Sequence, residues 1–327
     1  MKRIGIVGAG RMAFARGKAL LDTGEAEIIA VASRNIEHAR RLARKLGAQE
    51  AFDDYRRIGS LKPDALLIEV PHGAQTEIVK WGIDVAPGIL VGAALAVNLR
   101  EAEEIEKRAE EKGCLIEAGY DARYSAVWEK AKDILESGVL GEPVLVQSLA
   151  LFPASPSSWY YKEKESGGMP LTHMTYCFIN PVRWVLGSVV DVSASANQLL
   201  MRGKEFVEQE MCAAILRFQN DSLYSAVAGY IRPPGFPNLE VRFICTEGGL
   251  EILPSRRILK IYRDTGVEEI DFSSHPSSLL RQAEKFIDAL DGKAACLNPP
   301  SDAKIDVAIS EAIVKAAKNR IVVRLQR

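Results

Sequence analysis

The chain has 327 residues, enough for two hydrophobic cores, and 47% of them are apolar, as in an ordinary globular protein. Its 42 basic and 43 acidic residues leave a formal charge of -1 and are evenly mixed, which excludes the electrostatic footprint of a nucleic-acid or anionic-membrane binder and leaves a small molecule as the expected partner. Five singly scattered cysteines and four histidines, with no C-x-x-C spacing, argue against disulfides and a structural zinc site, so no metal is expected.

The first apolar run, Ile4-Gly5-Ile6-Val7, leads straight into Gly8-Ala9-Gly10-Arg11-Met12-Ala13. A helix fits residues 11–21 and a second strand residues 27–32, the spacing of a βαβ unit. In that context Gly8 makes the tight turn, Gly10 lets the backbone approach a pyrophosphate, and the small Ala13 lets helix and strand pack closely. Arg11 and Met12 then sit in a first helical turn whose unpaired N–H groups face the phosphates. The second strand ends in Ser33-Arg34, where an Asp or Glu would accept hydrogen bonds from the ribose hydroxyls of NAD. A guanidinium instead forks onto a 2'-phosphate, so the pair favours NADP over NAD. The bland alternative for Arg34 is a solvated surface arginine.

Further along, helices are expected at 36–46, 74–84 and 100–112, alternating with strands at 65–70, 89–91 and 114–118. This rhythm predicts an α/β fold, a doubly wound parallel sheet of Rossmann type. The Glu/Lys-rich helix before Gly113 is a solvated face. A helix at 127–137 follows, and then the texture changes. Strands are expected at 143–152, 189–196, 209–218, 222–228, 239–245, 250–253 and 258–262, separated by turn signals such as Gln219-Asn220-Asp221. They predict an α+β domain with an open, mostly antiparallel sheet. A helix at 171–186 interrupts the strands, and helices at 278–290 and 302–318 close the chain. The expected division is a nucleotide-binding domain at 1–121 and a substrate and oligomerisation domain at 122–327, with the last helix free to pack back on the first. With a strand at the very start and no apolar run of about 18 residues, no membrane partner is expected and the chain is expected to stay in the cytoplasm.

Several local patterns together resemble the Gfo/Idh/MocA family. They are the nucleotide turn, Ala32-Ser33-Arg34, Pro71 with Glu77, Leu95-Ala96-Val97-Asn98-Leu99, and Gly119-Tyr120-Asp121-Ala122-Arg123-Tyr124. Gly167-Gly168, Arg183-Trp184, Phe286-Ile287-Asp288-Ala289-Leu290 and Ser301-Asp302-Ala303 extend the likeness over nearly the whole length. The resemblance implies a substrate held between the domains over the nicotinamide, hydride transfer involving a sugar or related polyol, and a homodimer or homotetramer formed through the C-terminal sheet. It also adds Pro71, His72, Gln75 and Ala93 to the expected cofactor-binding set.

The chain departs from the family where chemistry is done. The family's Glu-Lys-Pro turn aligns with Gly92-Ala93-Ala94, so the lysine that would stabilise a developing oxyanion is absent. An Asp and a His four residues apart on the substrate-facing helix fall on His173 and Cys177, and Asn180 stands where Asp is common. His173, Tyr176, Cys177 and Asn180 are spaced to share one helical face. His173 could donate a proton near neutral pH or be a core histidine bonded to backbone. Tyr176 and Cys177 are candidate ligand contacts or packing residues. Trp159-Tyr160-Tyr161-Lys162 is expected in a mobile loop, where Tyr160 could stack on a flat substrate and Lys162 could replace the missing cation. Tyr120, Asp121 and Arg123 follow the last parallel strand, at the carboxyl end where ligands collect; Asp121 and Arg123 could equally form a plain ion pair. The leading functional expectation is an NADPH-dependent reductase of an imine, a conjugated double bond or an activated carbonyl. The alternative is a non-catalytic NADP-binding sensor or scaffold.

Overall fold

A computed structural model describes residues 1–155, 157–167, 175–200, 203, 205–207 and 210–325. The described chain divides into two compact units, the first made of Met1–Asp121 and Pro276–Ile305, the second of Ala122–His275 and Asp306–Arg327.

The first unit opens with β1 (Lys2–Val7), α1 (Arg11–Asp22), β2 (Ala26–Ala32), α2 (Ile36–Leu46) and β3 (Glu50–Phe52). It continues through β4 (Ala65–Ile68), α3 (His72–Val85), β5 (Gly88–Val91), α4 (Leu99–Lys112) and β6 (Leu115–Ala118). All six strands pair in parallel in the order β3-β2-β1-β4-β5-β6. Strands β4 and β5 are buried along their whole length because helices cover both faces, which is why they read as continuous Ala/Leu/Ile/Val runs. Helices start where side chains satisfy their free N–H groups: Asn35 Oδ1 accepts from Glu37 N at 2.9 Å, and Asn98 Oδ1 from Glu101 N at 2.9 Å. Gly47 and Gly113, both at positive φ, stop α2 and α4.

The second unit contains α5 (Ala126–Glu136), β7 (Pro143–Leu151), the single helical turn α6 (Glu163–Ser166) and α7 (Asn180–Leu186). The strands β8 (Val189–Asn197), β9 (Met211–Phe218), β10 (Leu223–Gly229) and β11 (Leu239–Cys245) follow. Then come β12 (Gly249–Leu253), β13 (Ile258–Arg263), β14 (Gly266–Asp271) and, at the chain end, β15 (Val323–Arg324). They form one nine-stranded sheet, ordered β14-β13-β12-β11-β7-β10-β9-β8-β15, antiparallel except for β7 against β10. Strand β9 alternates buried and exposed residues, as expected of a sheet with one face on a core and the other in solvent. That core gathers Trp128, Val182, Phe218, Phe243, Ile309 and Ile313, with the Trp128 and Phe243 rings edge to face at 6.3 Å.

The chain then returns to the first unit. Helix α8 (Ser278–Leu290) buries Phe286 and Ile287 in the core formed by Ile4, Ile6, Leu20 and Leu67. Helix α9 (Pro300–Asn319) runs from the first unit into the second. Buried Glu117 anchors the returning segment: its carboxylate accepts from Asn298 Nδ2 at 2.8 Å, Asn298 N at 3.2 Å and Gln282 Nε2 at 3.2 Å.

Three strands lie outside the sequence expectations. Glu50–Phe52 and Val323–Arg324 are too short to show a period, and Gly266–Asp271 is an exposed, acidic edge strand. The strand expected at 65–70 ends at Ile68, with Glu69 N still donating to Val7 O at 2.8 Å, because Pro71 opens α3. Among the described residues no helix is long and apolar enough to cross a membrane.

Candidate functional site in the first unit

Chain reversal between β1 and β4 creates the switch point of the parallel sheet, where ligands of such folds bind outside the carboxyl ends of the strands. Gly8 lies on the β1 side. Its φ is +110°, and a Cβ there would stand 1.9 Å from the Glu69 carbonyl oxygen on the β4 side, so only glycine fits. Gly10 faces open space and begins α1 without a side-chain cap, and no acid stands in that helix's first turn. Its N–H groups are therefore left for an anion, whereas those of α2 and α4 are taken by Asn35 and Asn98. Ala13 is fully buried beneath the turn, while Arg11 and Met12 reach outward. This cradle suits a dinucleotide pyrophosphate.

Beside it, Ser33 donates its N–H to Phe52 O at 3.0 Å, which fixes the end of β2, and Arg34 projects into solvent. A cleft of about 370 Å³ opens between α1 and α2, lined by Gly10, Arg11, Phe14, His38, Arg41 and Lys45. Basic side chains dominate its polar lining. Lys45 Nζ lies 5.4 Å from the centre of the Phe14 ring.

Residues 92–95 form a tightly held turn. Gln75, itself buried, donates Nε2 to the carbonyl oxygens of Gly92, Ala94 and Leu95 at 3.1, 2.5 and 3.1 Å. His72 Nε2 meets Ala93 O at 2.9 Å. Pro71 supplies the start of α3 that carries both side chains. Pro71, His72, Gln75 and Ala93 are thus gathered at one place, with two of them spent on backbone carbonyls.

A group that sequence reasoning missed lies between this turn and Gly8. Glu69 Oε1 accepts from Arg16 Nη1 at 3.1 Å, and Arg16 Nη2 donates to Gly119 O at 2.6 Å and stands 3.7 Å from Asp121 Oδ1. Asp121 also accepts from Ser278 Oγ at 2.5 Å. Burial pushes the Glu69 carboxyl above its ordinary range, Arg16 pulls it down, and Asp121 adds to the rise. The signal in the sequence was the carboxylate itself, standing directly after an apolar parallel strand.

The candidates of the second unit take other positions. His173 lies outside the described residues, and the Tyr176 side chain is likewise not described. Residues Trp159–Tyr161 form a 3-10 turn, with the Tyr160 ring 4.1 Å from that of Trp159 and 5.8 Å from that of Tyr230. Lys162 is half exposed and pairs with Glu165 at 3.3 Å. Cys177 packs at the edge of the core. Arg123 is buried and donates Nη2 to Asn180 O at 3.3 Å, while Asn180 Nδ2 donates to Asp306 Oδ2 at 2.7 Å. Arg183 completes that arrangement with a fork onto Asp306, Nε to Oδ1 at 2.8 Å and Nη2 to Oδ2 at 3.1 Å. In the first unit, the Tyr120 ring is fully buried and its carbonyl accepts from Asn298 Nδ2 at 3.1 Å.

Comparison with known proteins agrees with this geometry. Residues 2–120 match the oxidoreductase family with NAD-binding Rossmann fold (GFO_IDH_MocA), and residues 128–251 match the GFO/IDH/MocA C-terminal domain. Myo-inositol 2-dehydrogenase of Thermotoga maritima is 23% identical over 230 residues, 68% of this chain and 66% of that protein. The 1,5-anhydro-D-fructose reductase of Ensifer adhaerens is 21% identical over 324 residues, 97% of this chain and 96% of that one. The structure of levoglucosan dehydrogenase in complex with NADH and levoglucosan superposes with a TM-score of 0.90 at 19% identity, covering all of both chains, a likeness of fold. With the intact nucleotide cradle at its switch point and both family domains matched in order, the chain belongs to the Gfo/Idh/MocA family of NAD(P)-dependent oxidoreductases.

Proposed function

We propose that the chain is an NADPH-dependent reductase acting on a substrate more reactive than an ordinary sugar alcohol: an imine, a conjugated double bond or an activated carbonyl. The observation that carries this reading is an open cradle at Gly8 and Gly10 beside Ser33, Arg34 and a cleft edged by Arg11, His38, Arg41 and Lys45, together with Ala93 at the family's lysine position. The basic groups suit a 2'-phosphate, and no carboxylate stands at the end of β2 to hold the ribose of NAD. Gly8, Gly10, Arg11, Met12 and Ala13 would hold the pyrophosphate, and Ser33 and Arg34 the 2'-phosphate. Bound NADPH would supply the hydride. An acceptor already electron-poor at carbon demands less oxyanion stabilisation, which fits a site without the lysine. The reductase of Ensifer adhaerens, named for a keto sugar, supports an activated carbonyl within this set. A homo-oligomer formed through the open face of the nine-stranded sheet is part of the reading, supported by Ile215, Ile244 and Tyr262, all at least 40% exposed.

The test is calorimetric titration of nucleotide-free protein with NADPH, NADP+ and NADH, followed by NADPH oxidation with cyclic imines, enones and 1,2-dicarbonyl compounds. Arg34→Ala should weaken NADPH binding by about ten- to a hundredfold, the worth of a charge-assisted hydrogen bond, and leave NADH unchanged. Absence of NADPH binding would sink the reading. A second reading, a non-catalytic NADP-binding sensor, is favoured by Ala93 alone; it requires NADPH binding without turnover of any panel compound.

A further inference from the structure

We propose that Glu69 is the proton-carrying group of this site, taking over at the end of β4 the role that the absent lysine would have held at the end of β5. The inference rests on the reading of the site as an NADP(H) reductase. Its basis is a displacement of charge within one small region. The family's Glu-Lys-Pro turn would bring a carboxylate and an ammonium to positions 92 and 93, where this chain has Gly92 and Ala93. The room above Gly92 is filled instead by the side chain of Glu69: a Cβ built on Gly92 would stand 2.8 Å from Glu69 Oε2. Any residue larger than glycine at 92 would have to displace that oxygen.

The two carboxyl oxygens of Glu69 are not equivalent. Oε1 is held by Arg16 Nη1. Oε2 accepts no hydrogen bond from any described residue, and the side chain retains 12% exposure. Arg16 is only 2% exposed and is itself fixed by Gly119 O. One oxygen is thus anchored and the other lies open, at the strand ends flanking Gly8 where the nucleotide cradle lies. That is the arrangement required of a positioned acid.

Among the described residues, the charged and titratable groups around Glu69 are Arg16 from α1, Asp121 after β6, and His72 at the start of α3, whose ring is turned to Ala93 O. The β5 end contributes none, since it is Gly92-Ala93-Ala94. Burial and Asp121 favour the protonated carboxyl, and Arg16 opposes them while fixing Oε1. In the reaction, with hydride supplied by bound NADPH to the substrate carbon, the O–H bond at Glu69 Oε2 breaks and its proton passes to the substrate nitrogen, oxygen or carbanionic carbon. The carboxylate then recovers a proton from water. One hydride and one proton are consumed for each double bond reduced.

A test needs no substrate. Oxidised nicotinamide is positively charged and the reduced ring is neutral, so NADP+ should lower the titration midpoint of a carboxyl beside it by about one to three pH units, while NADPH should not. Calorimetric titrations with NADP+ and with NADPH, each in two buffers of different ionisation enthalpy across the mildly acidic to neutral range, count the protons released. The 2'-phosphate releases protons equally with either nucleotide, so the expected result is an excess release with NADP+ over NADPH, abolished in Glu69→Gln, which still binds both nucleotides. Equal proton counts for the two nucleotides in the wild type, or an NADP+ excess that persists in Glu69→Gln, would overturn the assignment of Glu69 and leave the nucleotide reading intact. Failure of both nucleotides to bind would overturn the reading and the assignment together. Should Glu69→Gln not fold, the carbon-13 carboxyl signal of Glu69 in labelled wild type, compared between the two nucleotide complexes, reports the same shift or its absence.

Discussion

The polar residues at the strand ends of the first unit and those around α7 of the second are both largely buried, yet they are used in opposite ways. Asn180 and Arg183 donate to Asp306, and Arg123 donates to the Asn180 carbonyl. At the strand ends, Gln75 and His72 likewise hold backbone carbonyls, but Glu69 Oε2 accepts from no described residue and Gly10 leaves a helix start uncapped. A buried polar group with its hydrogen bonds satisfied stabilises a fold; one deliberately left short invites a ligand. By that measure, the described groups left open to a ligand in the first unit are at the ends of β1 and β4.

The sharpest way to break this contrast is Asp306→Ala, which should strand the buried Arg183 guanidinium and cost about 3 to 5 kcal/mol in denaturant unfolding. Nucleotide affinity of the folded variant should be unchanged; a large loss would return the α7 region to the functional site. Gly8→Ala comes next. The added methyl meets the Glu69 carbonyl, and a positive φ is costly for alanine, so stability should drop by about 3 kcal/mol and NADPH binding by at least about a hundredfold. Gln75→Leu removes the donor shared by three carbonyls of the 92–95 turn and should cost about 1 to 3 kcal/mol, with a weaker nucleotide complex if that turn borders the cofactor. The smallest effect concerns acid stability. Hydrogen bonds from Lys2 and Lys293 lower the Asp291 carboxyl from 3.8 to about 2. Its contribution is present above the ordinary carboxylate range and is lost as pH falls towards 2, so Asp291→Asn should flatten only that part of a thermal-unfolding profile.

Much of the fold was legible because its signals are local. The Gly8-Ala9-Gly10 turn, the apolar parallel strands and the Gly113 stop are written within a few residues of where they act. The short strands Glu50–Phe52 and Val323–Arg324 were not legible, since a two- or three-residue strand is defined by its neighbour's hydrogen bonds and carries no period of its own. The site divides in the same way. Gly8, Gly10, Ala13, Ser33 and Arg34 could be proposed from sequence because they lie in one continuous turn and at the end of the strand beside it. The pairing of Glu69 with Arg16, 53 residues earlier, is invisible to any window.

By itself, then, the sequence determined the order of parallel and antiparallel parts and the glycine turn that follows β1. Tertiary structure alone decided that Pro276–Ile305 returns to the first unit, where Glu117 binds Asn298 and Gln282. It likewise decided that Asn180 donates to Asp306 and that the Glu69 side chain occupies the room above Gly92. Each of these depends on which distant segments desolvate one another's polar groups, and that is fixed only when strands far apart in the chain are brought side by side.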